Sequence, residues 1–184
     1  MPTRQPVTLL WLPLVLALAL GACSGDSSES PASGEPSPAP VAANDYRLAA
    51  GGGALVGPSG ERTPIDPKLV TGYVDAAVLN GEFVDLSGWA APADLSSPAE
   101  VILAVGSGKP VVAVEPSGER PDLVEGYDRP GLERSGFAMS VPVSSLDCDA
   151  PQQGLKVFAV ADGAAGRLEW LGDVGQRVRD ACHE

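Results

Sequence analysis

Gly72-Tyr73-Val74-Asp75-Ala76-Ala77-Val78-Leu79-Asn80-Gly81-Glu82-Phe83-Val84-Asp85-Leu86-Ser87-Gly88-Trp89-Ala90-Ala91 is the stretch that decides the fold. Two apolar-rich runs, Gly72–Asn80 and Glu82–Ala91, flank an Asn-Gly turn. From Phe83 onward the residues sort into two sets. Val84, Leu86 and Gly88 fall on one face; Phe83, Asp85, Ser87 and Trp89 fall on the other. This period of two belongs to a strand, because successive side chains leave a pleated sheet on opposite sides. Asn-Gly suits a tight connection because both central residues tolerate positive φ. The stretch therefore predicts an antiparallel hairpin.

Working outward, five more runs have the same character: Ala99–Gly106, Lys109–Glu115, Gly136–Val143, Leu155–Asp162 and Gly166–Gly172. Turn residues separate them, among them Ser107-Gly108, Pro116 to Gly118 and Asp162-Gly163. Seven short strands with this punctuation predict an all-β, antiparallel β-sandwich. Two stretches break the pattern. Asp122–Arg134 is polar with Gly and Pro and reads as a long loop with a helical turn. Asp173–His183 places Val174, Val178 and Cys182 on one face of a short C-terminal helix, with Asp173 as its N-cap. The region Tyr46–Pro67, with Gly51-Gly52-Gly53, reads either as an extra strand or as a continuation of what precedes it.

What precedes it is distinctive. Met1–Thr8 carries Arg4 and no acid, and Leu9–Leu20 is an apolar run broken only by Pro13. A basic start, an apolar core and small residues at a cut are the features of a secretory signal. Twelve apolar residues are too few for a bilayer span, which takes about 20. Leu20-Gly21-Ala22-Cys23 then resembles the lipobox of bacterial lipoproteins, in which the cysteine becomes the lipid-bearing N-terminus. An ordinary cleaved signal, with Cys23 incidental, is the alternative. The resemblance implies a diacylglyceryl group on Cys23, usually with a third acyl chain such as palmitate. One acyl chain holds a protein only marginally, whereas two or three retain it firmly. The resemblance also implies an extracytoplasmic site. With Ser24 after the cysteine, this is the outer membrane in Gram-negative sorting, or the outer face of the plasma membrane in a Gram-positive.

Ser24–Asn44 is rich in Ser, Pro, Gly and Ala and holds no aromatic residue. Such a composition buries too little apolar surface to offset its ordering entropy, so it reads as a disordered tether. Stretched at ~3.1 Å per residue it reaches roughly 65 Å. The chain thus divides into a signal at 1–22, an acylated tether at 23–44, an extension of domain or tether at 45–71, and the sandwich at 72–184.

Charge narrows the partners. The chain is at −12, and removal of residues 1–22 takes away Arg4 and no acid, giving −13. Without a basic stripe, nucleic-acid binding is not expected. Binding of the folded part to anionic headgroups needs clustered Lys and Arg and is disfavoured as well. With Cys23 assigned, Cys148 and Cys182 remain as an even pair in an oxidising compartment, and we expect a disulfide between them. Two free thiols are the alternative.

No catalytic constellation or cofactor motif emerges. The lone histidine, His183, stands at the chain end, a poor triad or metal residue, and no metal site is expected. Asp122 with Asp128, and Asp147 with Asp149, are carboxylate pairs of the kind glycosidases use, but 24 acids make chance pairs common. Trp89 is the most suggestive binding residue, since an exposed indole stacks on sugar rings. Its small neighbours Gly88 and Ala90 favour instead a core tryptophan packed against the opposite sheet. Trp170 with Tyr127 forms a second candidate aromatic surface.

Taken in order, Gly72-Tyr73-Val74-Asp75, Gly88-Trp89-Ala90, Arg120-Pro121-Asp122-Leu123 and Gly136-Phe137 resemble a β-sandwich module of bacterial envelope proteins. Its elements run GxVD, GWA, RPDV and GF, and it is often found beside glycosyltransferase or other surface domains. The likeness covers roughly 72–172, with Leu123 in place of the usual Val. It implies an immunoglobulin-like sandwich and no defined activity. The expected function is a membrane-anchored envelope lipoprotein displaying a non-catalytic interaction module. A carbohydrate-binding module for cell-wall or capsular polysaccharide is the alternative.

Overall fold

Three short strands open the computed structural model, which describes residues 42–146, 148 and 154–182. They are β1 (Arg47–Leu48), β2 (Ala54–Val56) and β3 (Arg62–Pro64), paired antiparallel in that order. Leu55 of β2 is buried against Leu103, Val105, Phe158 and Ala165. The region left open between strand and tether therefore packs onto the domain.

The main body holds β4 (Val70–Asn80), β5 (Phe83–Pro92), β6 (Val101–Gly106), β7 (Lys109–Val114) and β8 (Gly136–Pro142). After these come β9 (Leu155–Ala161), β10 (Ala164–Arg167) and β11 (Glu169–Trp170). One sheet has the order β11-β4-β5-β8 and the other β10-β9-β6-β7. All main-body pairings are antiparallel except β11 with β4, which is parallel. This is an all-β, immunoglobulin-like sandwich, with β4, β5 and β8 in the A, B and E positions and β6, β7, β9 and β10 in C, C′, F and G. No D strand lies between β7 and β8. That stretch instead forms helix α1 (Pro121–Tyr127) and a 3₁₀ turn, Pro130–Leu132. The expected long loop is thus largely helical, because Pro121 and Pro130 each start a turn at the position where a missing N–H costs nothing.

The hairpins follow the chemistry of their turns, with one difference. Ser107-Gly108 and Asp162-Gly163 both have positive φ at the two central positions, as a type I′ turn requires. The β4–β5 turn, however, is centred on Gly81-Glu82 rather than Asn80-Gly81. Asn80 pairs with Phe83, and only Gly81 has positive φ (60°). Glycine at the first central position is the type II′ solution.

Val74, Ala77, Val84, Leu86 and Ala90 fill the space between the sheets with Ile102, Ala104, Phe137, Val141, Val157 and Ala159. The face assignments read from Phe83–Trp89 hold. Register on β4 shifts between Val74 and Ala76, so Asp75 is an extra, bulged residue. The bulge keeps both Val74 and Ala77 inward although they lie three residues apart.

The expected single strand Gly166–Gly172 is two elements. β10 pairs with β9, and β11 crosses to pair with β4 in the other sheet. Leu168 sits between them, buried in the core, and its inward side chain makes the crossing favourable. Helix α2 (Val174–Asp180) follows and buries Val174 and Val178. Asp173 stands at its N-cap position without a side-chain capping hydrogen bond and pairs instead with Arg177 at 3.2 Å. Cys148 and Cys182 form a disulfide with Cα atoms 5.4 Å apart, fastening the end of α2. Among the described residues the three apolar clusters run from Ala43 to Cys182, within one compact unit, Ser37–Glu184, that has a core of its own.

Candidate functional site

Trp89 is 3% exposed, but the opposite sheet does not cover it. It projects from the outer face of β5 and is roofed by Leu123, Val124, Leu132 and Leu95, with Ala91 and Tyr73 beside it. The expectation that it packs between the sheets is corrected: it holds down the α1 segment instead. The cause is the strand period, since Gly88 and Ala90 take the inward positions and leave Trp89 outward. Its indole faces are not open for a sugar to stack on.

Two tyrosines flank the indole. Tyr73, the cross-strand partner of Trp89, has its ring centroid 6.0 Å away, and Tyr127 at the end of α1 is 5.9 Å away. Both pairs are tilted, with 54° and 50° between the ring planes, at centroid separations within the range of interacting aromatic pairs. Tyr127 is 47% exposed and is the outermost ring. Trp170 lies elsewhere: it is half-buried and packs against the inter-sheet core, next to Gly175 of α2. The expected Trp170–Tyr127 surface is therefore not formed; Tyr127 pairs with Trp89.

Beside the aromatic run lies a charged staple. Arg120 donates from Nε and Nη2 to the two carboxylate oxygens of Asp122, at 2.9 and 2.8 Å, and from Nη1 to Asp75 Oδ2 at 2.8 Å. The guanidinium fork thus ties the start of α1 to the bulge on β4. The Arg120 and Asp75 side chains are only 19% and 28% exposed, whereas Asp122 is mostly in solvent. Asp75 Oδ1 is buried without a partner among the described residues. The hydrogen bond from Arg120 holds the Asp122 carboxyl below its ordinary pKa, and the Arg120 pKa is raised by the same contact.

Glycines make room for these contacts. A Cβ on Gly88 would strike the Tyr73 carbonyl and the Phe137 ring, so glycine lets Phe137 lie across β5. A Cβ on Gly136 would meet Gly118 O at 2.8 Å and Arg120 Cγ at 3.1 Å. The Gly72–Asp75, Gly88–Ala90, Arg120–Leu123 and Gly136-Phe137 segments therefore converge around one feature, the docked α1 segment.

At the other end of the sheet a surface cavity of about 750 Å³ is lined by Leu79, Glu82, Phe83, Pro142, Val143 and Ala181. Phe83, 45% exposed, is the most open of its large apolar side chains. Sequence reading did not single out Val78, Phe83, Tyr73 or the Arg120–Asp75 pairing. Tyr73 was recoverable as the residue facing Trp89 across the hairpin, once the bulge is allowed for.

Asp128 forms the left-handed end of α1 (φ 53°) rather than pairing with Asp122. Asp147, Asp149, His183 and the lipid-attachment candidate Cys23 lie outside the described residues. Among the described residues no helix is long and apolar enough to cross a membrane. No family model matches the chain, and no curated protein or solved structure matches it either.

Proposed function

We propose that this chain is a lipid-anchored envelope lipoprotein that displays its sandwich as a non-catalytic interaction module. The observation that carries the reading is Leu20-Gly21-Ala22-Cys23 after the apolar run Leu9–Leu20, followed by the Ser/Pro-rich stretch Ser24–Asn44. Acylated Cys23 supplies the membrane affinity, so the acidic domain needs none of its own. Residues 24–41 then act as a spacer. The fold supports display: its polar network, Arg120 with Asp75 and Asp122, is used to fasten a helix. Cys23→Ala should release the protein from membranes into the soluble envelope fraction. Continued membrane retention that only detergent reverses would overturn the anchor.

The second reading, a polysaccharide-binding module, draws on the Tyr73–Trp89–Tyr127 run and the exposure of Tyr127. An exposed ring that is itself braced from behind is a suitable platform for a sugar face. Retention of the soluble domain on cell-wall or capsular polymer, lost in Tyr127→Ala, would favour this reading over protein recognition.

A further inference from the structure

The unpaired rim of β8 is the surface that sets this sandwich apart. Hydrogen bonds fix which backbone groups face outward. Gly136 exchanges bonds with Gly118, on the side away from β5, while Ser135 and Val143 bond toward β5 and its turn. Alternation along an antiparallel strand then turns the N–H and C=O groups of Ala138 and Ser140 away from β5. Both residues are exposed, and among the described residues no backbone group bonds them on that side. This is the side a D strand would occupy, and the chain between β7 and β8 forms α1 instead.

The other rims are blunted in recognised ways. β7 carries Lys109, Pro110 and a register irregularity; β10 is bonded by Asp66 and bridged by Ile65; β11 has two residues. β8 is closed only at its ends, by the Gly118 bridge at Gly136 and by Pro142, and leaves Ala138 and Ser140 open between them. Across the opening of the sandwich, β7 runs close to β8 and offers half-buried Val112 and Val114.

We propose that the β8 rim accepts an extended strand from a partner protein, adding a strand to the β11-β4-β5-β8 sheet. The added strand alternates apolar with basic residues. Its inward side chains lie over the opening toward Val112 and Val114. Its outward ones lie on the face that carries Asp85 and Ser140, on a chain whose charge is −12. That charge disfavours a second copy as occupant. The chain's own segment before residue 42 is a poor strand, since Pro31, Pro36, Pro38 and Pro40 lack the N–H that a ladder needs.

This inference rests on the interaction-module reading, but its test does not involve Cys23, so the two fail separately. The probe is a blocked peptide of alternating valine and lysine, as long as β8, titrated into ¹⁵N-labelled residues 42–184. The amides of Ala138, Ser140 and Val112 should shift. Ser140→Pro removes one outward donor and should weaken binding about tenfold, while Ser140→Ala should not. On the unaltered protein, a twin peptide N-methylated at the amides facing β8 should not bind, and a glutamate-for-lysine twin should bind more weakly. No binding, shifts confined to another surface, or equal binding of the N-methylated twin would overturn the proposal. Dimerisation of the free domain through β8 would overturn the choice of partner.

Discussion

Trp89→Ala is the perturbation that most sharply separates a tryptophan fastening α1 from one exposed for a ligand. A buried tryptophan removes roughly 200 Å² from water, which at ~25 cal/mol per Å² gives about 5 kcal/mol as an upper figure. Two tyrosines and α1 border the space left behind and relax into it in part. We therefore expect a loss of about 3–4 kcal/mol, within the range for large aromatic deletions. The assay is urea unfolding of residues 42–184 followed by circular dichroism, with Trp170 left as the fluorescent reporter of the core. Hydrogen exchange adds a local readout: the Pro121–Tyr127 amides should lose protection more than those of β6 and β9, because Trp89 belongs to a separate cluster from the inter-sheet core. A loss below about 1 kcal/mol, or unchanged protection of α1, would refute this reasoning.

Three further outcomes follow from the same geometry. Arg120→Gln should loosen α1 and flatten the acid limb of stability. Asp122 is held below its ordinary 3.8 by Arg120, so the pair contributes above that pH and is lost as pH falls through the lower folded value. Wild type and variant should therefore converge in acid; chemical denaturation at pH 7 and pH 3 checks this, and an unchanged gap would contradict it. Replacing Cys148 and Cys182 together by serine opens a loop closed over a separation of 34 residues. The chain-entropy relation puts the cost at about 4 kcal/mol, measurable by thermal unfolding, and a shift under ~1 kcal/mol would speak against it. Gly88→Ala should displace Phe137 and destabilise by about 1–3 kcal/mol, as overpacking does; a neutral result in denaturant titration would show that β5 and β8 are not so closely apposed.

The sandwich was legible because its strands alternate and its turns carry Gly or Asp at the positions that need positive φ. Ser107-Gly108 and Asp162-Gly163 form the turns their chemistry favours. The β4–β5 turn was misplaced by one residue because Asn80-Gly81 is a strong type I′ signal, yet Gly81 serves as well at the first position of a II′ turn. The hairpin also contained its own correction. With Asn80 opposite Phe83, an unbroken ladder sets inward Val74 against outward Trp89, which a pleated pair cannot accommodate. A bulge between Val74 and Ala76 removes the conflict and brings Tyr73 opposite Trp89. Period alone could not reveal what covers the outer face. Trp89 reads as core from its small neighbours Gly88 and Ala90, and it is buried, but the cover comes from α1, some thirty residues later, and that stretch is polar enough to pass for a loop. The sheet crossing at Leu168 was hidden for a related reason, since Arg167-Leu168-Glu169-Trp170 alternates as one strand would and only the pairing partners of β10 and β11 differ.

The most direct test of the account is mass spectrometry of the protein purified from membranes, read on its N-terminal proteolytic peptide. The account predicts a chain that begins at Cys23 and carries a thioether-linked diacylglyceryl group. A chain that begins elsewhere, or an unmodified Cys23, would contradict lipid-anchored display.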